Sequence, residues 1–459
     1  MPFDLAIIGG GAGGVLVAIH VLEQARPGDR IVLLEPDPQL ARGVAYATTH
    51  AEHLLNVPAG RMSAFPSRPG DFVDYLRASG ADADPRVAGT YAQRRHYGAY
   101  LRQRLEQARS GSAGSLQVMH ARVASLEADG DGVQLQFGSA PTLHARAAVI
   151  AVGNSARPLP ARGATRLPPG QLLEAWDFDA VKRITPQAQL CIAGSGLSMV
   201  DTVLSLARAG HAGPIHVLSR HALLPLPHCS HAVSGFDPGT LLQQGLRQRM
   251  RSLRVAAAAA VAQGQPWQAL MECVRPQVQQ LWATLSCDDQ RRFLRHVARY
   301  WDVHRHRIAP QVHAQLQALI ERGQLRLHRG RLETVEPAGG RMRVQARMRD
   351  GRALQLDVDH VVNATGVEMR AQLMRNPLLS ALLGSGQARP GPHGIGLDTD
   401  ADGALLDAHG RPNPRVLVLG SLRIGSLWES IAVPELRVQA EQVAHRLLSP
   451  ALRLEPLAG

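Results

Sequence analysis

Asp4-Leu5-Ala6-Ile7-Ile8-Gly9-Gly10-Gly11-Ala12-Gly13-Gly14 decides the fold of this chain. Leu5 to Ile8 is a short apolar run, the pattern of a strand buried on both faces. Gly9-x-Gly11-x-x-Gly14 follows at once, and a helical pattern then sets Val15, Ala18, Ile19 and Leu22 on one face. A second apolar run, Ile31 to Leu34, ends in Glu35. The whole is a β–α–β unit. Gly9 permits a tight turn out of the strand, Gly11 lets a pyrophosphate approach the backbone, and Gly14 lets helix and strand pack closely. The helix N-terminus offers unpaired N–H groups to that pyrophosphate. Glu35, about twenty residues past the last glycine, is placed to accept from a ribose 2′-OH. A dinucleotide site is expected, and its place at the start of the chain favours FAD.

A second unit of the same kind begins at Leu190 to Ala193, followed by Gly194-Ser195-Gly196-Leu197-Ser198-Met199. The helix after it carries Val200, Val203, Leu204 and Ala207, and the next strand, His216 to Leu218, ends in Ser219-Arg220-His221. Met199 replaces the third glycine. Arg220 stands where the first unit has an acid, and a cation there suits a 2′-phosphate. This site is expected to bind NADPH in preference to NADH through Gly194, Gly196, Ser198 and Arg220; a solvated surface charge is the alternative for Arg220.

Composition narrows the class. The 459 residues suffice for two or three domains, and 45% apolar with 19% charged residues is globular. No secretory leader is read at the start, and no apolar run approaches the ~18 residues that cross a bilayer, so a cytoplasmic protein without a membrane partner is expected. The formal charge of +12 rests on arginine, because Lys182 is the only lysine. The basic residues are scattered and aromatics make up only 4%, so nucleic acid is not the expected partner. Cys191, Cys229, Cys273 and Cys287 form no C-x-x-C. That argues against a flavin-linked dithiol relay and against a zinc framework. His304-x-His306 lacks a third ligand at set spacing, so no metal is expected.

Between the two units lie a loop-rich stretch, Arg42 to Ser63, a short helix from Asp71, and a longer helix over Tyr91 to Ala108 with tyrosines packed inward. Leu116 to Phe137 alternates like a small β-meander covering the first sheet. Ala147 to Val152 returns to that sheet and ends at Gly153. A Pro-rich segment, Arg157 to Gly170, marks the first domain crossing. Pro238 to Gly323 is a helical insertion, predicted as helices over 241–253, 267–285, 289–301 and 312–322. Tyr300 to Arg307 within it reads as an anion- or substrate-facing loop, with helix capping by ion pairs as the alternative. Leu325 to Val358 is a second meander. His360 to Gly366 is read as the chain re-entering a dinucleotide domain from that meander, and Arg415 to Gly420 as a final buried strand before a helix from about Val433.

The first fingerprint, Gly43-Val44-Ala45-Tyr46, His53 to Pro58, Gly194 to Asp201, Tyr300 to Pro310 and Trp428-Glu429 together resemble the bacterial FAD/NAD(P)-binding proteins related to flavin-dependent monooxygenases. Leu54 to Leu76 and Arg94 to Leu101 resemble, more loosely, the flavin-contacting segments of ornithine and lysine N-hydroxylases. The FAD-dependent urate hydroxylases are similar to this family and are the most specific candidate. The resemblance implies an α/β protein with two Rossmann-like dinucleotide-binding domains, β-meanders and a helical insertion. An FAD domain would cover 1–160 and 361–459, and an NAD(P)H domain 161–360 with the insertion at 238–323. It implies FAD held by Gly9, Gly11, Gly14, Glu35, Tyr46, Asn56, Met62, Arg95, Gly153, Gly366, Gly420, Ser421 and Trp428. Ser421 stands where better-known flavoproteins carry an aspartate for the ribityl chain. The implied activity is NAD(P)H-dependent hydroxylation of a small, urate-like substrate by O₂ through a flavin C4a-hydroperoxide. His53, Arg61, His304 and Glu429 are the expected substrate residues. A flavin oxidoreductase that inserts no oxygen, or a flavin-binding partner protein without turnover, remains open, as does the oligomeric state.

Overall fold

The first strand, Phe3–Ile8, pairs in parallel with Arg30–Leu34 on one side and with Ala140–Ile150 on the other, as the apolar runs predict. In the computed structural model, residues 2–82, 84–129, 132–138, 140–230 and 234–448 are described. They divide into two units. The first comprises Met1–Thr49, Val57–Ser155 and Glu368–Gly459, and the second His50–Asn56 and Ala156–Val367.

The first unit is built on an eight-stranded mixed sheet. Its parallel part runs Pro412–Val418, Ala140–Ile150, Phe3–Ile8, Arg30–Leu34, Ser115–Met119. Ala140–Ile150 does two jobs. Its beginning pairs antiparallel with Val133–Phe137, and its end pairs in parallel with the first strand. The predicted meander therefore extends the sheet instead of covering it, and its first segment, Ser115–Met119, is a parallel strand beside Arg30–Leu34. Helix Ala12–Leu22 is apolar nearly all round and buried, packed by Arg94–Gly111 and Val433–Leu447. On Arg94–Gly111 the buried residues include Tyr97 and Tyr100, which turn inward as expected. The opposite face of the sheet is covered by a core that joins Ile8, Leu34, Leu135 and Ile150 to Leu378, Leu382 and Val416.

The second unit has a seven-stranded sheet. Leu172–Glu174, His360–Asn363, Leu190–Ala193, Ile215–Ser219 and the start of Leu325–Ala338 are parallel. From Gly330 on, that fourteen-residue strand pairs antiparallel with Arg341–Met348, across a register shift at Leu332/Thr334. One long strand thus joins nucleotide-binding sheet and meander in each unit.

Three expectations need correction here. The boundary expected at residue 361 lies later: His360–Asn363 pairs with Leu190–Ala193 and stays in the second unit, and the chain returns to the first only at Glu368. His50–Asn56 belongs by its packing to the second unit, although it lies early in the chain. The helix predicted over 267–285 is broken into Trp267–Val274 and Val278–Ala283 by a 3₁₀ turn at Arg275–Gln277, because Pro276 has no N–H to donate. Among the described residues no helix is long and apolar enough to cross a membrane.

Candidate functional site

Each unit presents one glycine turn at the C-terminal edge of its parallel strands, and the two have the same backbone. Gly9 and Gly194 both sit at φ +109°. Gly9 N–H donates to Leu34 O at 2.8 Å, and Gly194 N–H to Leu218 O at 2.9 Å. A Cβ on Gly9 would lie 2.5 Å from Ala151 O, and one on Gly194 2.1 Å from Ala364 O, so neither position admits a side chain. The helices begin at Gly11 and Gly196, both extended, and neither N-terminus is capped by a side chain. Their first N–H groups are left for a ligand.

The first turn fits a dinucleotide. A Cβ on Gly11 would meet nothing nearer than Gly43 Cα at 3.8 Å, so the space above it is open. At Gly14 a Cβ would lie 1.8 Å from Gly9 O, which explains the glycine. Glu35 is half-buried and oriented: its carboxylate accepts from Gly10 N–H at 2.6 Å and Asp37 N–H at 3.1 Å. Ala151 backs onto Gly9, with Gly153 next in the chain at φ +73°. Leu419 would stand 3.0 Å from a Cβ on Gly13, which brings Gly420 to the helix start. Gly420 N–H is held by Gln439 Oε1 at 3.2 Å, its carbonyl accepts from Ser430 at 3.0 Å, and Ser421 follows in the 3₁₀ turn Gly420–Arg423. Gly43–Tyr46, read as loop, is one helical turn. Tyr46 packs on Tyr97 at 4.7 Å, and burial pushes its hydroxyl up to about 12, opposed by Arg94.

Arg94, not Arg95, is thus the arginine near Tyr46. Arg95 is exposed and donates to Gln93 at 2.7 Å, because the helix phase turns it outward. Met62 and Trp428 are buried in the first unit. Gly366, expected with the flavin, lies in the second unit just past the strand beside the Gly194 turn. Asn56 is also there, with its carbonyl accepting from His228 at 3.0 Å.

The second turn is surrounded by cations. Arg220 is exposed at the end of Ile215–Ser219. Ser198 Oγ accepts from Trp176 Nε1 at 3.1 Å. Burial and the nearby Arg220, Arg329 and Arg299 all press the His221 imidazole below its usual range. Arg299 comes from the insertion, 104 residues beyond the turn, and donates through Nη2 to Ser195 O at 3.1 Å and Leu223 O at 2.9 Å. Sequence reading missed it. It lies one residue before the Tyr300 stretch singled out above, but no spacing rule links it to Gly196.

The expected substrate residues divide between the two units, His53 and His304 in the second and Arg61 and Glu429 in the first. His53 is fully buried in the second unit, its Nε2 at 2.8 Å from Ser205 Oγ and 3.2 Å from Asp201 O. His304 lies on helix Ala298–Arg305 with Nδ1 against Tyr300 O at 2.7 Å and its ring on Trp267. The stretch Tyr300 to Arg307 is therefore mostly helix, and buried Arg307 is ion-paired with Glu272. Arg61 is exposed in the first unit. Glu429 is buried there at φ +60°. Among the described residues, those that could offer a metal three ligand atoms are His50, Glu52 and His53, within 4.8 Å of one another. Glu52 and Ser205 meet the same nitrogen of His50, so the group is no acid–base–hydroxyl relay.

A family model described as FAD-NAD(P)-binding matches residues 6–155, which hold the first turn and most of its sheet. No curated protein matches the sequence. Among solved structures, the ornithine N-hydroxylase of Kutzneria sp. 744, with reduced FAD, NADP⁺ and L-ornithine, is 15% identical. It aligns over 97% of this chain and 99% of its own, with a TM-score of 0.69. L-lysine 6-monooxygenase from Pseudomonas syringae is 21% identical over 97% and 99%, with a TM-score of 0.65. Thioredoxin reductase from Lactococcus lactis is 12% identical over 97% of each chain, with a TM-score of 0.53. The fold is that of the FAD/NAD(P)-binding monooxygenases and reductases. The similarity to urate hydroxylases gains no support from these matches.

Proposed function

We propose that this protein is an FAD- and NADPH-dependent monooxygenase that hydroxylates the nitrogen of a small primary amine. One observation carries the reading: two glycine turns of the same backbone geometry end their β–α–β units in opposite charge, Glu35 in the first unit and Arg220 in the second. A carboxylate suits the ribose diol of FAD, and a guanidinium suits the 2′-phosphate of NADPH. The first unit is thus the FAD domain and the second the NADPH domain. The absence of a C-x-x-C pair speaks against the reductase branch of the fold, which is also the less similar one.

The cofactors supply hydride transfer and oxygen activation when bound. The chain supplies the cradles: Gly11 and Gly196 admit phosphates, Glu35 fixes a ribose, and the uncapped helix ends balance negative charge. An ammonium substrate reverses the charge logic used for urate. It calls for a carboxylate, and of the expected substrate residues only Glu429 is an acid. Glu429 holds a left-handed backbone while buried, a strained state that persists at functional sites.

The test is turnover by the flavin-loaded protein with NADPH, O₂ and, in turn, ornithine, lysine and urate. The expected outcome is oxygen uptake matched by an N-hydroxylated product from an amine, detected by mass spectrometry as one added oxygen. NADPH oxidation yielding peroxide alone with every amine leaves the oxidoreductase alternative and removes the monooxygenase reading.

A further inference from the structure

We propose that Arg299, carried by the helical insertion, is the pyrophosphate anchor of the second nucleotide turn. The inference rests on the NADPH reading above and assigns the insertion a part in it.

Arg299 has two ends with different tasks. Its Nη2 is spent on the turn itself, donating to Ser195 O at 3.1 Å, Ser195 Oγ at 3.2 Å and Leu223 O at 2.9 Å. Its Nη1 is the nearest atom to the place a Cβ would take on Gly196, at 4.0 Å. That is the side from which a pyrophosphate reaches the turn. The carboxylate that acts on the charge of Arg299 is that of Asp302, three residues on. Burial and the neighbouring Arg220 both work against the proton on Arg299, and Asp302 opposes them only in part. The shortage of negative charge extends around it. His221 faces Arg220, Arg329 and Arg299, and its Nδ1 is buried without a hydrogen-bond partner. Gathering three arginines around one turn costs stability that a bound anion would offset. A π-turn over Phe293–Val297 directly precedes the helix that carries Arg299. Such turns re-aim the residues after them and are frequent at functional sites.

The division of labour follows. Arg299 faces the pyrophosphate, which NADPH and NADH share. Arg220, at the strand end, faces the 2′-phosphate, which only NADPH has. Arg299→Gln keeps a donor but removes the charge, and Arg220→Gln does the same at the other place.

The experiment measures NADP⁺ and NAD⁺ binding to the flavin-loaded protein by calorimetry, with thermal unfolding of each variant alongside. Arg299→Gln should weaken both nucleotides together, by about ten- to hundredfold, the range for hydrogen bonds to charged groups. Its affinity should also depend less steeply on salt than that of the parent. Arg220→Gln should weaken NADP⁺ alone. If Arg299→Gln unfolds, Arg299→Lys serves in its place: the charge remains but the fork across Ser195 and Leu223 is lost, and a smaller, equal weakening is expected. Unchanged binding of both nucleotides by the folded Arg299 variant overturns the proposal, as does loss of NADP⁺ alone. Failure of the unmutated protein to bind either nucleotide overturns the NADPH reading instead.

Discussion

Gly11→Ala and Gly14→Ala, two substitutions three residues apart, should fail in opposite ways. At Gly14 the new Cβ would lie 1.8 Å from Gly9 O. The closest tolerated C–H···O contacts are about 3.3 Å, so helix Ala12–Leu22 would have to withdraw by about 1.5 Å. That helix buries Val15, Leu16, Ile19 and Leu22 among others, and the obstacle is a backbone carbonyl that cannot rotate away. Overpacking costs about 1–3 kcal/mol in general. With backbone as the obstacle the cost should reach about 3 kcal/mol or more, far above the ~1 kcal/mol that alanine gains over glycine in a helix. At Gly11 the nearest atom is 3.8 Å away and φ is −67°, which alanine accepts. Restricting the unfolded chain gains about 0.4–1 kcal/mol, and a poorer N-cap loses a similar amount, so the net should stay within about 1 kcal/mol of zero. The added methyl instead projects into the space read as the pyrophosphate path. The assay is flavin absorbance per protein after purification, together with urea unfolding of the flavin-free form. Gly14→Ala should lower the unfolding midpoint clearly. Gly11→Ala should leave it in place and abolish flavin retention. Full flavin content in Gly11→Ala would refute the cradle reasoning, and normal stability in Gly14→Ala would refute the close packing of helix on turn.

Two further outcomes concern the second unit. Glu272→Ala leaves Arg307, only 1% exposed, without its carboxylate and should cost about 3–5 kcal/mol, toward the lower end because Arg307 also lies over Trp267; urea unfolding checks this, and a loss under about 1 kcal/mol would show the pair to be dispensable. His216 is held at about 4 by burial, with His328 and Arg326 adding to it, against 6.5 when free. Its folded form refuses a proton that the unfolded chain accepts, so stability should be full above about pH 6.5 and decline as the pH falls toward 4. His216→Asn should flatten that decline between pH 7 and 5, and an unaltered pH dependence would exclude His216 as a source of it.

What could be read in advance was what is local along the chain. Strand, glycine turn, helix and terminal acid or arginine all fall within a few dozen residues, and each element fixes the next. What could not be read depends on distant partners or on phase. One residue of helix rotation separates Arg94, near Tyr46, from exposed Arg95. His53 looked like a polar loop residue, but Ser205 and Asp201, some 150 positions on, bury it. His360–Asn363 carries the same apolar signature whichever unit it joins, and only its pairing with Leu190–Ala193 decides. Pro276, by contrast, was a readable signal that the helical periodicity of 267–285 outweighed.

The two turns also explain why the insertion is part of the second unit rather than an ornament on it. In the first turn the middle residue, Gly10, has its carbonyl bound by Ala41 N–H at 2.8 Å, from the loop that follows the unit's second strand. Ala41 adopts φ +58° to deliver that donor. In the second turn the equivalent carbonyl is that of Ser195, and its donor is Arg299 Nη2. The loop after the second strand contributes an acceptor instead, Leu223 O, which takes Ser195 Oγ at 2.7 Å and Arg299 at 2.9 Å. One guanidinium therefore replaces a backbone donor and adds a charge beside Gly196 that a backbone N–H could not supply. The third glycine has meanwhile become Met199, fully buried, so close helix packing is not a requirement of the turn's backbone, which keeps φ +109° in both. What both turns do require is a donor to the middle carbonyl, and in the second it arrives only with the insertion.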